Sequence, residues 1–258
     1  MVKIVKLDLS TGSVQKKVDY VAEEKPLHIY INGKHYATIM CSPSKLKEIA
    51  VGHLLSQGIV KAVDEIEEIS LKNHETCQVK LKPKINLKSR LKLTRLYSRV
   101  IASACGSTSP YTFAGKIPKV TSNPKVKAQI IKESAKNLNV IAETFRKTGG
   151  VHAAAIHKSD GTIVAFAEDV GRHNAVDKAI GTAALNKKDL KNCFLTLSGR
   201  LTADIVIKAA RTNIPIVASI AAALDSGIEV AKKANITLVG FARGNRMNVY
   251  SFPERIIS

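Results

Sequence analysis

From residue 151 to the C-terminus, short apolar runs alternate with helical segments, and this alternation constrains the fold more than any other feature. A hairpin of residues 151–157 and 162–167 is predicted first. Helices and strands are then predicted in turn over residues 171–184, 193–197, 203–212, 214–219, 226–234 and 236–241. Strands that alternate with helices form a mostly parallel sheet with helices on its faces. A long helix from residue 123 to about residue 148 is predicted before the hairpin.

The first hundred residues have a different pattern, with several predicted strands around one helix. Asn32-Gly33 between two apolar runs is a strong hairpin signal. Ser42-Pro43 predicts a helix start, with Ser42 as the N-cap and Pro43 at the first helical position. Further strands are predicted over residues 66–72 and 77–82.

A segment rich in Ser, Thr, Gly and Pro over about residues 102–118 interrupts both patterns and predicts a long loop. Because the organisation changes there, we predict two domains. Residues 1–105 form a small α+β domain, and residues 106–258 form an α/β domain.

The composition is that of an ordinary globular chain with an unusual charge. Apolar residues make up 45% of the 258 residues, and no apolar run approaches the length that spans a bilayer. The N-terminus lacks the apolar core of a signal peptide, so a cytoplasmic protein without a membrane partner is expected. The net charge of +19 favours an anionic partner, which leaves nucleic acid, a phosphate-rich cofactor and an acidic protein open. The basic segment of residues 80–99 fits either a solvated face or an anion-binding surface.

Three segments of the second half lie where a strand ends, and each combines arginine with glycine. In open α/β sheets ligands bind at that edge, and helix N-termini there present free N–H groups to anions. Arginine offers a planar set of donors that suits phosphate. A simple turn or capped helix explains each segment taken singly, but three of them together favour a phosphate-bearing ligand. The candidate binding residues are Gly171, Arg172, His173, Ser198, Gly199, Arg200, Phe241, Ala242, Arg243, Gly244, Asn245 and Arg246.

Three carboxylates accompany the first of these segments. Glu168, Asp169 and Asp177 can pair with the neighbouring basic side chains or accept hydrogen bonds from a base such as guanine. Both roles stay open at the level of sequence.

Four dispersed cysteines fit neither a C-x-x-C pair nor a zinc pattern. Cys105 lies in a polar loop that follows the basic segment, where nearby positive charge lowers a thiol pKa and exposure grants access. Cys41, Cys77 and Cys193 lie in apolar or strand-like contexts. Cys105 is therefore the candidate nucleophile. The alternative is a loop thiol without a chemical role.

The order of elements in the second half is that of the cytidine deaminase fold, with three layers and a mixed sheet. Zinc deaminases carry H-x-E on the first helix after the hairpin and P-C-x-x-C at the next. Here the first position has His173-Asn174-Ala175, without glutamate, and the second has Ser198-Gly199-Arg200, without a cysteine pair. No zinc is expected.

Several stretches resemble the signature of the formate dehydrogenase accessory proteins. They are residues 168–178, residues 148–154, Ser198-Gly199-Arg200 and residues 239–244, in matching order and spacing. The resemblance implies a deaminase-like α/β domain plus a smaller N-terminal domain, usually in a dimer. It also implies a sulfur carrier, which a cysteine desulfurase loads with a persulfide on a loop cysteine.

The resemblance further implies the destination of the sulfur. The carrier passes it to the molybdenum or tungsten bis-molybdopterin guanine dinucleotide cofactor, which enters formate dehydrogenase or a related enzyme. Cys105 matches the first cysteine of the family's C-G-x-C loop motif, and residues 241–246 match the cofactor-binding segment. Thr108 replaces the second cysteine, so a cofactor chaperone that moves no sulfur is the alternative. A nucleic-acid-binding protein is a third reading, which no recognisable motif supports.

Overall fold

The computed structural model describes residues 1–94 and 117–258. The strands are β1 Val2–Leu7, β2 Val14–Asp19, β3 Lys25–Ile31, β4 Lys34–Cys41, β5 Ile66–Lys72, β6 Thr76–Leu81, β7 Val126–Lys127, β8 His152–Lys158, β9 Ile163–Asp169, β10 Cys193–Leu197, β11 Ile216–Ser219, β12 Thr237–Arg243, β13 Arg246–Ser251 and β14 Ile256–Ile257. The helices are α1 Leu46–Ser56, α2 Leu87–Thr94, α3 Ala128–Ile141, α4 Glu143–Thr148, α5 Arg172–Leu185, α6 Ala203–Arg211 and α7 Asp225–Ala234. None of the helices in these residues is long and apolar enough to cross a membrane.

The predicted hairpin at Asn32-Gly33 is confirmed. It joins β3 to β4 with positive φ angles of 49° and 78° at its two central residues, which a tight hairpin turn of this kind requires. β6 pairs in parallel with β3 and antiparallel with β5, so a four-stranded sheet forms in the order β4-β3-β6-β5. β1 and β2 form a separate, exposed two-stranded sheet.

The predicted start of the first helix is wrong by about three residues. α1 begins at Leu46, and its N-cap is Lys45 in the left-handed conformation rather than Ser42. The Ser42 hydroxyl instead accepts a hydrogen bond from Val170 N at 3.1 Å, and Ser42 N donates to Asp169 Oδ2 at 3.0 Å. These contacts with residues far along the chain override the local capping preference.

A six-stranded mixed sheet in the order β13-β12-β11-β10-β8-β9 forms the larger part of the structure. β10, β11 and β12 are parallel, whereas β8 is antiparallel to β10, and β9 to β8. α3 packs on one face, while α5, α6 and α7 cover the other. The predicted alternation of strands and helices is confirmed.

Two features of this part were not predicted. The chain folds back after β12 as β13, which pairs antiparallel with it at the sheet edge. The long helix predicted from residue 123 begins instead at Ala128, after the short strand β7, and it is divided because Ala142 (φ −79°, ψ 83°) ends α3 before α4 begins.

α1 joins the two predicted domains, since it packs on α5 and α6 as well as on β5 and β6. Gly52 and Gly181 face each other where α1 and α5 cross, so that the two backbones come into direct contact. One apolar core continues through both portions. The boundary at residue 105 stays a prediction, and most of the proposed linking loop lies outside the described residues.

Candidate functional site

The first two predicted binding segments lie side by side at one edge of the large sheet. β9, β10, β11 and β12 run in the same direction, so their carboxyl ends share that edge. An ideal Cβ at Gly199, just after β10, would lie 2.9 Å from Arg172 Cβ at the start of α5. The absence of a side chain at Gly199 therefore allows Arg172 to pack against this loop.

The third segment, residues 241–246, is joined to the same edge. Phe241 has a left-handed φ of 52°, and its N–H donates to Ala221 O at 3.0 Å. The Arg243 guanidinium lies over the Phe241 ring, 5.5 Å from its centroid. Ala242 is buried in the core and can offer only its backbone to a ligand. The exposed residues of the segment are Arg243, Gly244, Asn245 and Arg246.

Asp169 is completely buried and forms an internal network at the start of α5. Lys178 Nζ lies 2.6 Å from its carboxylate. The Asp169 carboxylate oxygens also accept hydrogen bonds from Ser42 N at 3.0 Å, Gly171 N at 2.9 Å and Asn174 Nδ2 at 2.9 Å. These bonds hold the N-terminus of α5 against the chain that enters α1.

Asp177 forms a second buried network, about one helical turn after Arg172 and His173 in α5. Lys208 Nζ lies 2.7 Å from both carboxylate oxygens, Ser56 Oγ donates to one at 2.7 Å, and His53 Nδ1 lies 3.2 Å from the other. Burial alone raises the pKa of Asp177, but the Lys208 charge and the His53 contact outweigh it and lower the pKa to about 2. The network therefore joins α1, α5 and α6 through an ionised carboxylate.

Glu168 is also engaged within the chain. Its carboxylate accepts hydrogen bonds from Thr144 N at 3.1 Å and Phe145 N at 2.8 Å, at the first turn of α4. All three carboxylates of the segment thus have internal partners. Of the two roles that the sequence left open, the buried Asp169 and Asp177 carboxylates take the pairing role, with Lys178 and Lys208.

Arg172 and His173 begin α5 at the edge of the sheet where the carboxyl ends of the parallel strands lie. Arg172 Nε and His173 Nε2 are buried without a hydrogen-bond partner among the described residues. His173 Nε2 is 3.9 Å from Asp204 Oδ2, too far for a hydrogen bond. Burial, followed by the charges of Lys208 and Arg172, lowers the pKa of His173 to about 3, so its ring is neutral at physiological pH.

His152 belongs to the same site, although it was not predicted as a binding residue. It starts β8, which lies between β9 and β10, and its Nδ1 is 3.2 Å from Ser198 Oγ. Burial, with smaller contributions from Arg172 and Arg200, lowers the pKa of His152. Its inclusion in the signature stretch of residues 148–154 was the available signal.

A protein-family model described as the FdhD/NarQ family matches residues 22–257. The chain belongs to this family. The sulfur carrier protein FdhD of Sulfurisphaera tokodaii is 35% identical over 260 residues, which cover 99% of this chain and 98% of the relative. The sulfur carrier protein FdhD of Sulfolobus acidocaldarius is 38% identical over 240 residues, which cover 92% of this chain and 91% of the relative. The crystal structure of a formate dehydrogenase accessory protein from Desulfotalea psychrophila is similar to this structure, with a TM-score of 0.78 and 28% sequence identity. The match covers 99% of this chain and 98% of that protein.

These comparisons confirm the predicted resemblance, and the signature segments of the FdhD/NarQ family now have distinct structural roles. Arg172 and His173 line the edge of the sheet, whereas Asp169, Asp177 and Lys178 hold α5 in place. The hairpin of β1 and β2 lies before the family match.

Three of the four cysteines of this FdhD/NarQ member are buried, and the structure makes them poor nucleophiles. Burial raises the pKa of the Cys41 thiol to about 11 and that of Cys77 to about 12. Burial also raises the pKa of Cys193. Cys105 and Thr108 lie outside the described residues.

Metal-ligating side chains do not converge in the described part of the chain. Residues 1–94 and 117–258 contain no group of three or more His, Cys, Asp or Glu side chains that could hold a metal ion. The edge instead presents arginine, neutral histidine and hydroxyl groups, which suit an oxyanion.

Proposed function

We propose that this FdhD/NarQ member is a sulfur carrier for formate dehydrogenase or a related molybdenum or tungsten enzyme. It acts in the cytoplasm as a homodimer, and a cysteine desulfurase supplies its sulfur. The sulfur-carrier relatives support the first part, since they match nearly the whole chain. The persulfide on Cys105, the cysteine desulfurase, the homodimer and the cytoplasmic location are further parts of the proposal.

The proposed loading step is a thiol exchange. The Cys105 thiolate attacks the outer sulfur of the desulfurase persulfide, forming a new S–S bond while the old one breaks and the desulfurase thiolate leaves. Atoms and electrons balance without an added oxidant or reductant. Transfer of the neutral outer sulfur to the reduced metal of the client cofactor then regenerates the Cys105 thiolate and oxidises that metal by two electrons.

One observation carries the choice of Cys105. Cys41, Cys77 and Cys193 are buried, and their pKa values are raised, so little thiolate forms on them near neutral pH. Cys105 is the remaining cysteine of the chain. A single thiol suffices for the relay, so Thr108 at the second motif position does not prevent it.

We further propose that the client cofactor, molybdenum or tungsten bis-molybdopterin guanine dinucleotide, binds along the sheet edge. Its phosphates suit the net charge of +19 and the unpartnered atoms of Arg172 and His173. The stacking surface of Phe241 suits its flat guanine ring, and the exposed arginines Arg243 and Arg246 suit its phosphates. Ser198, Gly199 and Arg200 complete the edge between these groups.

A cytidine-deaminase-like arrangement of the second half is part of the same proposal. The strand order β9-β8-β10-β11-β12, with β8 antiparallel to its neighbours, supports it. α3 on one face and α5, α6 and α7 on the other make three layers.

The loading step predicts sulfur at one position. After incubation with a cysteine desulfurase and cysteine, mass spectrometry should find one added sulfur atom on Cys105. Cys105→Ala should lose that signal, whereas Cys193→Ala, the matched control at a buried thiol, should keep it. Equal loading of the other thiols with none on Cys105 would contradict the proposal.

Thr108 in place of the second motif cysteine favours the alternative of a cofactor chaperone that moves no sulfur. Formate dehydrogenase activity in cells separates the two functions. Undiminished activity with Cys105→Ala supports the chaperone, whereas loss of activity with cofactor binding intact supports the relay.

A further inference from the structure

The four-stranded sheet β4-β3-β6-β5 is packed on one face, and within the described residues its other face is open to solvent. Along β3 the buried Leu27, Ile29 and Ile31 alternate with the partly exposed His28 and Tyr30. β6 shows the same alternation, and α1 packs on the buried side. Many sheets leave one face to solvent, so openness alone does not indicate a binding surface. We call the outward side chains of these four strands the open face.

Three aromatic rings lie together on the open face. The Tyr30 and His35 rings meet edge to face with their centroids 5.3 Å apart, and the His28 ring centroid is 6.2 Å from that of His35. Thr38 Oγ1 lies 2.9 Å from His28 Nδ1 and 3.0 Å from His35 Nε2, so one hydroxyl group holds both imidazoles. Proteins that bind single-stranded nucleic acid stack its bases on exposed rings of this kind.

A shallow concavity of about 920 Å³ adjoins the rings, and its lining includes Tyr30, Ser70 and Gln78. Tyr30 is paired with Gln78 across β3 and β6, and Gln78 with Ser70 across β6 and β5. The three side chains therefore form a row across three strands. Amide and hydroxyl groups both donate and accept hydrogen bonds, as the edges of unpaired bases do.

Two glutamates also line the concavity, both on the edge strand β5. Glu67 is paired with Lys80 at 2.8 Å, and Glu68 lies opposite Lys80 in the sheet. Carboxylates repel phosphate groups, so the phosphates of a bound strand must lie away from this side.

Lysines without ion pairs stand at both ends of the concavity. Lys72 lines it where β5 ends. At the other end are Lys34, in the turn between β3 and β4, and Lys82 and Lys84, on either side of the lining residue Pro83. None of these lysines belongs to an ion pair formed within the described part of the chain. Cations at both ends suit a run of phosphates that crosses the open face.

We propose that the open face binds single-stranded nucleic acid, whose bases stack on Tyr30 and His35 while its phosphates contact Lys34 and Lys72. A duplex keeps its bases stacked inside and offers none to the rings. An acidic protein matches the lysines but leaves the rings and the polar row without a role. The net charge of +19 adds long-range attraction for a polyanion. The open face belongs to a different sheet from the candidate site, so this inference does not rest on the sulfur-carrier function.

Fluorescence anisotropy with labelled oligonucleotides of about ten nucleotides tests the surface on the full chain. Single-stranded RNA and DNA should each bind about tenfold or more tightly than a duplex of the same length at moderate salt. The ratio of RNA to DNA affinity then distinguishes the two sources of the same chemistry. Tyr30→Ala should weaken single-strand binding by about tenfold, the loss of one stacked base. Tyr30→Phe keeps the ring and should restore most of the affinity.

Two control variants separate stacking from charge. Phe145→Ala removes an exposed ring on α4, away from the open face, and should leave the affinity unchanged. Lys34→Gln combined with Lys72→Gln should reduce the slope of log affinity against log salt by about one, because two phosphate contacts are lost. Lys16→Gln combined with Lys17→Gln, on the exposed strand β2, should change that slope less.

Three outcomes would overturn the inference. The first is equal affinity for duplex and single strand, and the second is a Tyr30→Ala variant that is folded and binds like the wild-type chain. Both would show attraction by charge alone. The third is competition by polyglutamate as strong as that by unlabelled single strand, which assigns the face to an acidic protein. Sulfur loading of Cys105 should be the same in Tyr30→Ala and wild type, so either proposal can fail while the other stands.

Discussion

Gly181→Ala is expected to destabilise the protein by about 3 kcal/mol or more, although alanine normally favours a helix over glycine by about 1 kcal/mol. The ideal Cβ at residue 181 would lie 1.8 Å from Glu48 O and 2.9 Å from Gly52 N. Both obstacles are backbone atoms of α1, so no side-chain rotation relieves the clash. The helices must separate, and the shared core of the two portions loosens.

Denaturant unfolding of the two chains measures this effect. Thr182→Ala, at the next position of α5, is the matched control and should cost less than about 1 kcal/mol, because it removes a hydroxyl bonded to Lys178 O and a methyl group from a partly exposed side chain and adds no atom between the helices. Gly52→Ala should be as harmful as Gly181→Ala, since its Cβ would lie 1.8 Å from Asp177 O. The two changes together should cost less than their sum, as one separation of the helices relieves both clashes. A Gly181→Ala variant as stable as the wild type would show that the helices do not touch here.

Lys208→Met should cost about 3–5 kcal/mol near neutral pH, because it leaves the buried Asp177 carboxylate without its cationic partner. His53 and Ser56 remain as hydrogen-bond partners of the carboxylate. The matched control is Lys233→Met on α7, whose ion pair with Glu229 is exposed. It should change the unfolding free energy by less than about 1 kcal/mol.

The pH dependence of the unfolding free energy tests the Lys208→Met prediction in a second way. Asp177 has a pKa of about 2 in the fold, below its ordinary 3.8, so its stabilisation is present above pH 3.8 and is lost as the pH falls towards 2. Without Lys208, burial raises the pKa of Asp177 above 3.8 instead, and protonation relieves the penalty. The difference in stability between the two chains should therefore shrink as the pH falls from 7 towards 3. A difference that stays constant over this range would contradict the assigned pairing.

Local patterns accounted for most of the secondary structure. The hairpin at Asn32-Gly33 and the alternating strands and helices after residue 151 follow from turn chemistry and apolar periodicity, which need no distant contact. Failures occurred where distant residues decided the outcome. β13 exists because β12 offers it an edge, and the start of α1 moved because Ser42 bonds to Asp169 and Val170.

Part of the candidate site was likewise predictable from the sequence, and part depended on tertiary packing. Sequence placed arginine and glycine at the ends of three strands, and the parallel order of the sheet then brought these ends to one edge. It could not tell which charged residues of segment 168–178 face a ligand. Residue type is the same for a ligand-binding carboxylate and a buried one, so only packing distinguishes Asp177 from a binding group.

The sequence by itself thus determined the α/β class, the family, the strand-end segments and Cys105 as the candidate thiol, because these depend on residue type and short-range order. The tertiary structure alone decided that Gly52 and Gly181 join the two portions and that Asp169 and Asp177 anchor α5. It also brought His152 to the edge of the sheet beside Ser198. The physical reason is that burial and pairing depend on groups that are distant in the chain.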